Sequence, residues 1–292
     1  MAPDSRDKTQ VLHDLADKFN HAADLQSGNV ENVRIENCIG FCKVPLGIAG
    51  PLRLAGTPVL DDIYAPLATY EATLIASCSR GCKAFNASGG IHIETLSNGM
   101  SRGPVFVFQD PGRAVIFAQA LPAVGARRDR TWSREACQKI LGCTTERLYI
   151  AQKTLKEGGI RNGQFGSNVN TVNIIAAMFI ATGQDTASTA EASWSHLTSE
   201  LDPKTGALCM SLYFPSLPVG TVGGGTGYPM QKEALKVLRC DGDGPDQKER
   251  LAGLIAAFSL ALDVSTSSAV ANDTFTASHM RLARGETLQP RL

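Results

Sequence analysis

At 292 residues the chain is long enough for one large domain or two ordinary ones, each with a substantial buried core. Its 28 basic residues balance 28 acidic ones, and no basic run with interleaved aromatics occurs, which excludes an electrostatic binder of nucleic acid or anionic membrane. With 43% hydrophobic and 19% charged residues, the composition is that of a soluble globular protein.

The first 25 residues carry charges throughout and lack the uninterrupted apolar core of a signal peptide. No stretch reads as the roughly 18 apolar residues that cross a bilayer, so a cytoplasmic protein is expected. Residues 6–25 predict an amphipathic helix through Val11, Leu12, Leu15, Phe19 and Ala22. Residues 31–56 follow as an extended stretch rich in glycine and proline, too apolar for a solvated linker. It reads either as a shaped surface for a ligand or another chain, or as an edge strand and turn.

From 66 to 86, apolar residues recur at helical spacing in Leu67, Leu74, Ile75, Cys78, Cys82 and Phe85, and Ser88, Gly89 and Gly90 close the helix. Glu71 falls on the same stripe. A carboxyl among such neighbours is desolvated, which raises its pKa towards a value suited to moving protons near neutrality. The alternative is a first-turn glutamate favoured by the helix dipole. Eight cysteines (Cys38, Cys42, Cys78, Cys82, Cys137, Cys143, Cys209, Cys240) include two Cys-x3-Cys pairs, yet Cys78 and Cys82 lie on the apolar stripe with no histidine at ligand spacing. They read as small hydrophobes, and no metal is expected.

Beyond this helix a strand is expected at 103–108, then two helices around 134–141 and 145–157, the second ending at Gly158 and Gly159. Residues 165–185 predict a nearly all-apolar helix interrupted by Asn168, Asn170 and Asn173 and ended by Gly183. An asparagine there must find partners or cost about 1–3 kcal/mol. Asp185 reads as the N-cap of a following helix over 185–197. A long strand is expected at 207–220, and residues 220–226 read GTVGGGT, a glycine loop able to approach a ligand closely. Helices around 250–262 and ending near Met280 complete the chain, with His279 near the last helix end.

Six segments together resemble the catalytic domain of the hydroxymethylglutaryl-coenzyme A reductase family: ENCIGFCKVPLGIAGPL, PLATYEATLIASCSRGCKA, SNGMSRGPV, the Asn173 helix ending ATGQD, FPSLPVGTVGGGT and the terminal SHM. They cover about 31–108 and 163–283 in family order. The resemblance implies an α/β (α+β) fold like that family's large domain, with helices around a small mixed sheet. It implies Glu71 as the catalytic glutamate, Asp185 as the aspartate tuning its proton network, Asn173 as the asparagine beside a catalytic lysine, and His279 as the histidine protonating the departing thiolate. Arg102 is implied to bind the acyl carboxylate. Lys83, Asn168, Gly223 and Gly224 are further candidates for substrate binding. A homodimer with a shared active site is the implied assembly.

The departures from the family are as specific. Its small nicotinamide-binding domain, inserted between segments corresponding to those ending near Val107 and beginning near Phe165, has no counterpart of sufficient length, and its Asp-Lys-Lys loop is missing. Lys83, Lys153 and Lys156 are the candidates to replace the lost cation, Lys83 lying across its helix from the Glu71 stripe. The expectation is therefore a single large domain over 1–292, with 1–30 as an N-terminal helix and 110–162 as a remnant. It is expected to use no cofactor and to isomerise or cyclise an apolar or acyl small molecule of polyketide or terpenoid type. A non-catalytic partner of a full-length reductase, and an NADPH-dependent reductase with a rebuilt cofactor site, are the alternatives.

Overall fold

The computed structural model describes residues 43–55, 62–95, 134–277 and 280. The expected helix over 6–25, the strand at 103–108, Arg102 and His279 lie outside these residues. The chain divides into two compact units, Met1–Pro45 and Leu46–Leu292, and the second contains all the strands and helices named in this section.

Strands β1 (Leu46–Leu52) and β2 (Ile63–Ala68) form an antiparallel pair in which Leu46 faces Ala68 and Ile48 faces Pro66, with a register shift between Ala49 and Leu52. Residues 66–68, expected as the start of a helix, are thus the end of β2. A Pro-Leu-Ala run is apolar enough for either element, and proline is tolerated in an edge strand such as β2, which among the described residues pairs only with β1. The helix α1 begins at Leu74 and runs to Ala87, with Leu74, Cys78, Cys82 and Phe85 buried along one stripe. Its end at Ser88, Gly89 and Gly90 is as expected, both glycines having positive φ.

Residues Arg134–Ala136 are helical and continue as a wider turn over Cys137–Leu141. Helix α2 spans Thr145–Arg161, capped by the Thr144 hydroxyl accepting from the Arg147 amide, and passes through Gly158 and Gly159 rather than ending there. Helix α3 (Thr171–Thr182) starts six residues later than expected, leaving Asn168 and Asn170 ahead of it, and ends at Gly183 in the left-handed region. The helix expected over 185–197 is replaced by a single turn at Thr186–Ser188, another at Thr189–Ala192, and strand β3 (His196–Leu201). β3 pairs antiparallel with β4 (Leu208–Tyr213), so the long strand expected at 207–220 is shorter.

Helix α4 (Pro229–Val237) follows the glycine loop. Helix α5 (Pro245–Ala271) runs beyond the expected end at 262 to Ala271, and helical backbone resumes at 275–277. α5 is the axis of the body: α1, α2 and α3 all pack on it. Leu251, Leu254, Ile255, Phe258 and Leu262 are buried there, each such side chain stabilising the fold by about 1.5–3 kcal/mol. α1 and α5 touch backbone to backbone at Gly81, where a Cβ would stand 1.8 Å from the Ala261 carbonyl oxygen. Contrary to the sequence expectation, α5 is long and apolar enough to cross a membrane over Asp246–Ala271, but 83% of its most apolar window is buried inside the body. The expected α/β arrangement of helices around sheet is present, but in place of one small mixed sheet the described residues form two separate antiparallel pairs.

Candidate active site

The turn between β2 and α1 presents Glu71. It is half-buried, with its amide donating to the Thr69 hydroxyl at 2.9 Å and its Oε1 accepting from the Thr73 hydroxyl at 3.3 Å. Glu71 therefore does not sit on the apolar stripe of α1. It is held ahead of the helix, where a carboxylate gains from the N-terminal end of the dipole. Its Oε2 accepts from Asn173 Nδ2 at 2.6 Å. Asn173 faces Glu71 because α3 packs against β2, the strand from which the Glu71 turn departs. A primary amide anchors one carboxyl oxygen without competing for the proton, so Glu71 is oriented yet able to give or take one.

The other expected site residues divide. Asn168 is buried, donating to the Ser193 carbonyl oxygen at 2.9 Å and accepting from Gln164 at 3.3 Å, and so ties the chain ahead of α3 to the turn before β3. Asp185 is exposed and caps the Thr186–Ser188 turn by accepting from the Ala187 amide at 3.0 Å. Gly223 and Gly224 are exposed, at φ of 87° and 56°, with open space where a side chain would stand. Their loop is anchored by Gln184, which donates to the Gly220 carbonyl at 2.9 Å and accepts from the Gly220 amide at 2.8 Å. Of the candidate replacement cations, Lys153 lies 5.2 Å over the Tyr149 ring on α2.

Lys83 has different company. With Arg80, Lys139, Ser79 and Asn86 it lines a cavity of about 550 Å³ walled also by Gly50, Pro51 and Ile140. Three cations around one open cavity suit a ligand bearing phosphates. Arg80 is fixed there by donating to the Ser265 hydroxyl at 3.0 Å and to its carbonyl at 2.7 Å. The sequence reading missed Arg80 and Lys139, since neither stands out until α1 and the 137–141 turn are side by side.

It also missed Asp263. This residue is fully buried in α5 and accepts from the Asn170 amide at 2.7 Å, the Val169 amide at 3.2 Å and the Thr171 hydroxyl at 3.2 Å. Burial pushes its carboxyl up to about 6, against the pull of those three donors. The signal was in the sequence: Asp263 is the one ionisable side chain between Arg250 and the end of α5.

The profile of the family described as hydroxymethylglutaryl-coenzyme A reductase matches residues 6–129 and 123–284. Among curated relatives, the 3-hydroxy-3-methylglutaryl-coenzyme A reductase of Haloferax volcanii is 29% identical over 343 positions, covering 86% of this chain and 85% of the relative. That of Aeropyrum pernix is 30% identical over 346 positions, covering 86% and 82%. Among solved structures, the reductase of Streptococcus pneumoniae superposes with a TM-score of 0.53 at 15% identity, covering 91% of this chain and 97% of that one. A second structure of that protein, class II and bound to NADPH in open conformations, gives 0.52 at 16%. These findings correct the expectation of a cofactor-free isomerase or cyclase acting on a polyketide- or terpenoid-type molecule, and favour its reductase alternative. The relatives carry a reductase's name across the archaea, and the family profile runs through both halves of the chain.

Proposed function

The chain belongs to the hydroxymethylglutaryl-coenzyme A reductase family, and from that membership we propose that it reduces the thioester of 3-hydroxy-3-methylglutaryl-coenzyme A or a closely similar acyl-coenzyme A. The observation that carries this reading is the 2.6 Å bond between Asn173 and Glu71, which poises a carboxyl at the mouth of the α1 turn. Glu71 would donate a proton to the carbonyl oxygen as negative charge develops on it, and Asn173 would hold the carboxyl in line. Arg80, Lys83 and Lys139 would hold the phosphates of the coenzyme A nucleotide in their cavity.

In such a reaction a nicotinamide coenzyme supplies the hydride. Among the described residues both sheets are antiparallel pairs, with no parallel strand–helix–strand unit of the kind that cradles a dinucleotide. The alignment with the Haloferax relative takes in about 251 residues of this chain, 86% of 292, so about 92 of its 343 positions have no residue of this chain. The two matched stretches of the family profile meet at 123–129. Both facts support a large domain retained over most of the chain with much of the small domain removed from its middle. A homodimer, small-molecule acyl substrate and cytosolic location complete the proposal.

Its test is turnover of 3-hydroxy-3-methylglutaryl-coenzyme A by the full chain with NADPH and with NADH, followed as loss of reduced nicotinamide. Activity that disappears in Glu71→Gln supports the reading. Absence of turnover with either coenzyme, at enzyme concentrations where a full-length reductase is plainly active, overturns it.

A further inference from the structure

We propose that Asp263, on α5, is a positioning residue for Glu71, acting through the first turn of α3. The cap position of α3 is Asn170, whose own side chain makes no capping bond. Asp263 takes over that work from another helix by accepting the Asn170 amide, the Val169 amide and the Thr171 hydroxyl. The Asn170 carbonyl then accepts from the Asn173 amide at 3.2 Å, and the Asn173 side chain donates to Glu71 at 2.6 Å. A continuous run of hydrogen bonds thus links a fully buried carboxyl on the central helix to the reacting carboxyl by way of Asn170 and Asn173.

The chemistry of the anchor makes it effective. A carboxyl accepts from several donors at once, so it fixes both the path of the chain entering α3 and the rotation of the helix about its axis. That rotation decides where Asn173 points. Backbone amides ahead of a helix have no partner within it, so a neutral apolar residue at 263 would leave two half-buried amides and the buried Thr171 hydroxyl without this acceptor and the entry free to shift. A displacement of about 1 Å at a catalytic group can cost on the order of a hundredfold in rate.

The inference rests on the reductase reading only in taking Glu71 as the reacting group, and its test separates the two. In the full chain, labelled with ¹⁵N, the side-chain amide resonances of Asn173 are identified by their loss in Asn173→Asp. They are compared in wild type, Asp263→Asn and Leu254→Ala, the last removing buried volume from α5 away from the Asp263 anchor. The expected result is that Asp263→Asn moves the Asn173 resonances towards those seen in Glu71→Gln and lowers kcat by about tenfold or more with KM changed less than about twofold. Leu254→Ala should lower Tm and leave both readouts in place. If Asp263→Asn leaves the Asn173 resonances where they are, or alters them no more than Leu254→Ala does, the positioning role is overturned. Should Asp263→Asn not fold, Thr171→Val, which deletes one of the three donors, is read by the same criteria. A wild-type chain without reductase turnover would sink the function above, while the Asn173 resonances still decide the role of Asp263.

Discussion

Glu71 and Asn173, 102 residues apart in the chain, meet at 2.6 Å with the amide donating and the carboxylate accepting. Both residues are half-buried, and the Glu71 carboxyl is held by the Asn173 amide on one oxygen and the Thr73 hydroxyl on the other. Glu71→Gln keeps the shape and removes the transferable proton. It is expected to lower kcat on the order of a hundredfold to ten-thousandfold, with Tm changed by little, as measured by steady-state kinetics and thermal unfolding.

Asn173→Ala removes the donor that orients the carboxyl but leaves the carboxyl itself. A smaller loss in kcat than that of Glu71→Gln is expected, and the double variant should be no worse than Glu71→Gln alone, because the two residues act as a unit. Additive losses would show that Asn173 serves something other than Glu71.

The cavity of Arg80, Lys83 and Lys139 predicts a charge effect confined to the nucleotide end of the substrate. Lys139→Glu places a carboxylate where a phosphate would sit and is expected to raise KM for the coenzyme A thioester by about tenfold at low salt, less as ionic strength rises. The same acyl group carried on pantetheine, which lacks the nucleotide phosphates, should show no such change.

Asp263 gives a pH prediction whose sign follows from its raised value. Its carboxyl titrates at about 6 in the fold against an ordinary 3.8, so folding favours the neutral form. The associated stability is complete below about 3.8 and is lost as pH rises through about 6. Wild type should therefore gain on Asp263→Asn as pH falls from neutrality to about 5, by an amount on the order of 2 kcal/mol or less, read from urea midpoints of both proteins.

Gln184 ties the glycine loop to the end of α3 through two bonds to Gly220. Gln184→Ala is expected to cost about 1–3 kcal/mol. It should also speed proteolytic cleavage within residues 220–227 while leaving cleavage elsewhere unchanged.

What the sequence disclosed depended on how local the signal was. The α1 stripe, its glycine stop and the left-handed end of α3 at Gly183 are written in consecutive residues and were legible. The start of α1 was not, because Pro66, Leu67 and Ala68 suit a strand as well as a helix and only pairing with β1 settles which. β3 was hidden behind Asp185, Thr186 and Ser188, whose capping chemistry announces a longer helix than the one turn they begin. Glu71 and Asn173 could be singled out by residue type and family pattern, but their contact is a property of α3 lying on β2. The cation-lined cavity and the anchoring by Asp263 join residues far apart in sequence, so nothing in any one stretch announces them.

At Gly81 helix α1 lies against α5 with no side chain between them. A joint made of side chains can be retuned by exchanging one residue for another of different bulk, whereas a joint of bare backbone has a single setting. Arg80, at the cavity, is next to that joint on one helix, and Asp263 is two residues beyond Ala261 on the other. The spacing between the cation-lined cavity and the Asp263 anchor is therefore set by the closest distance two main chains can approach. A substitution can change the cavity's charges or the loops around it, but the ruler between cavity and anchor has no adjustable part.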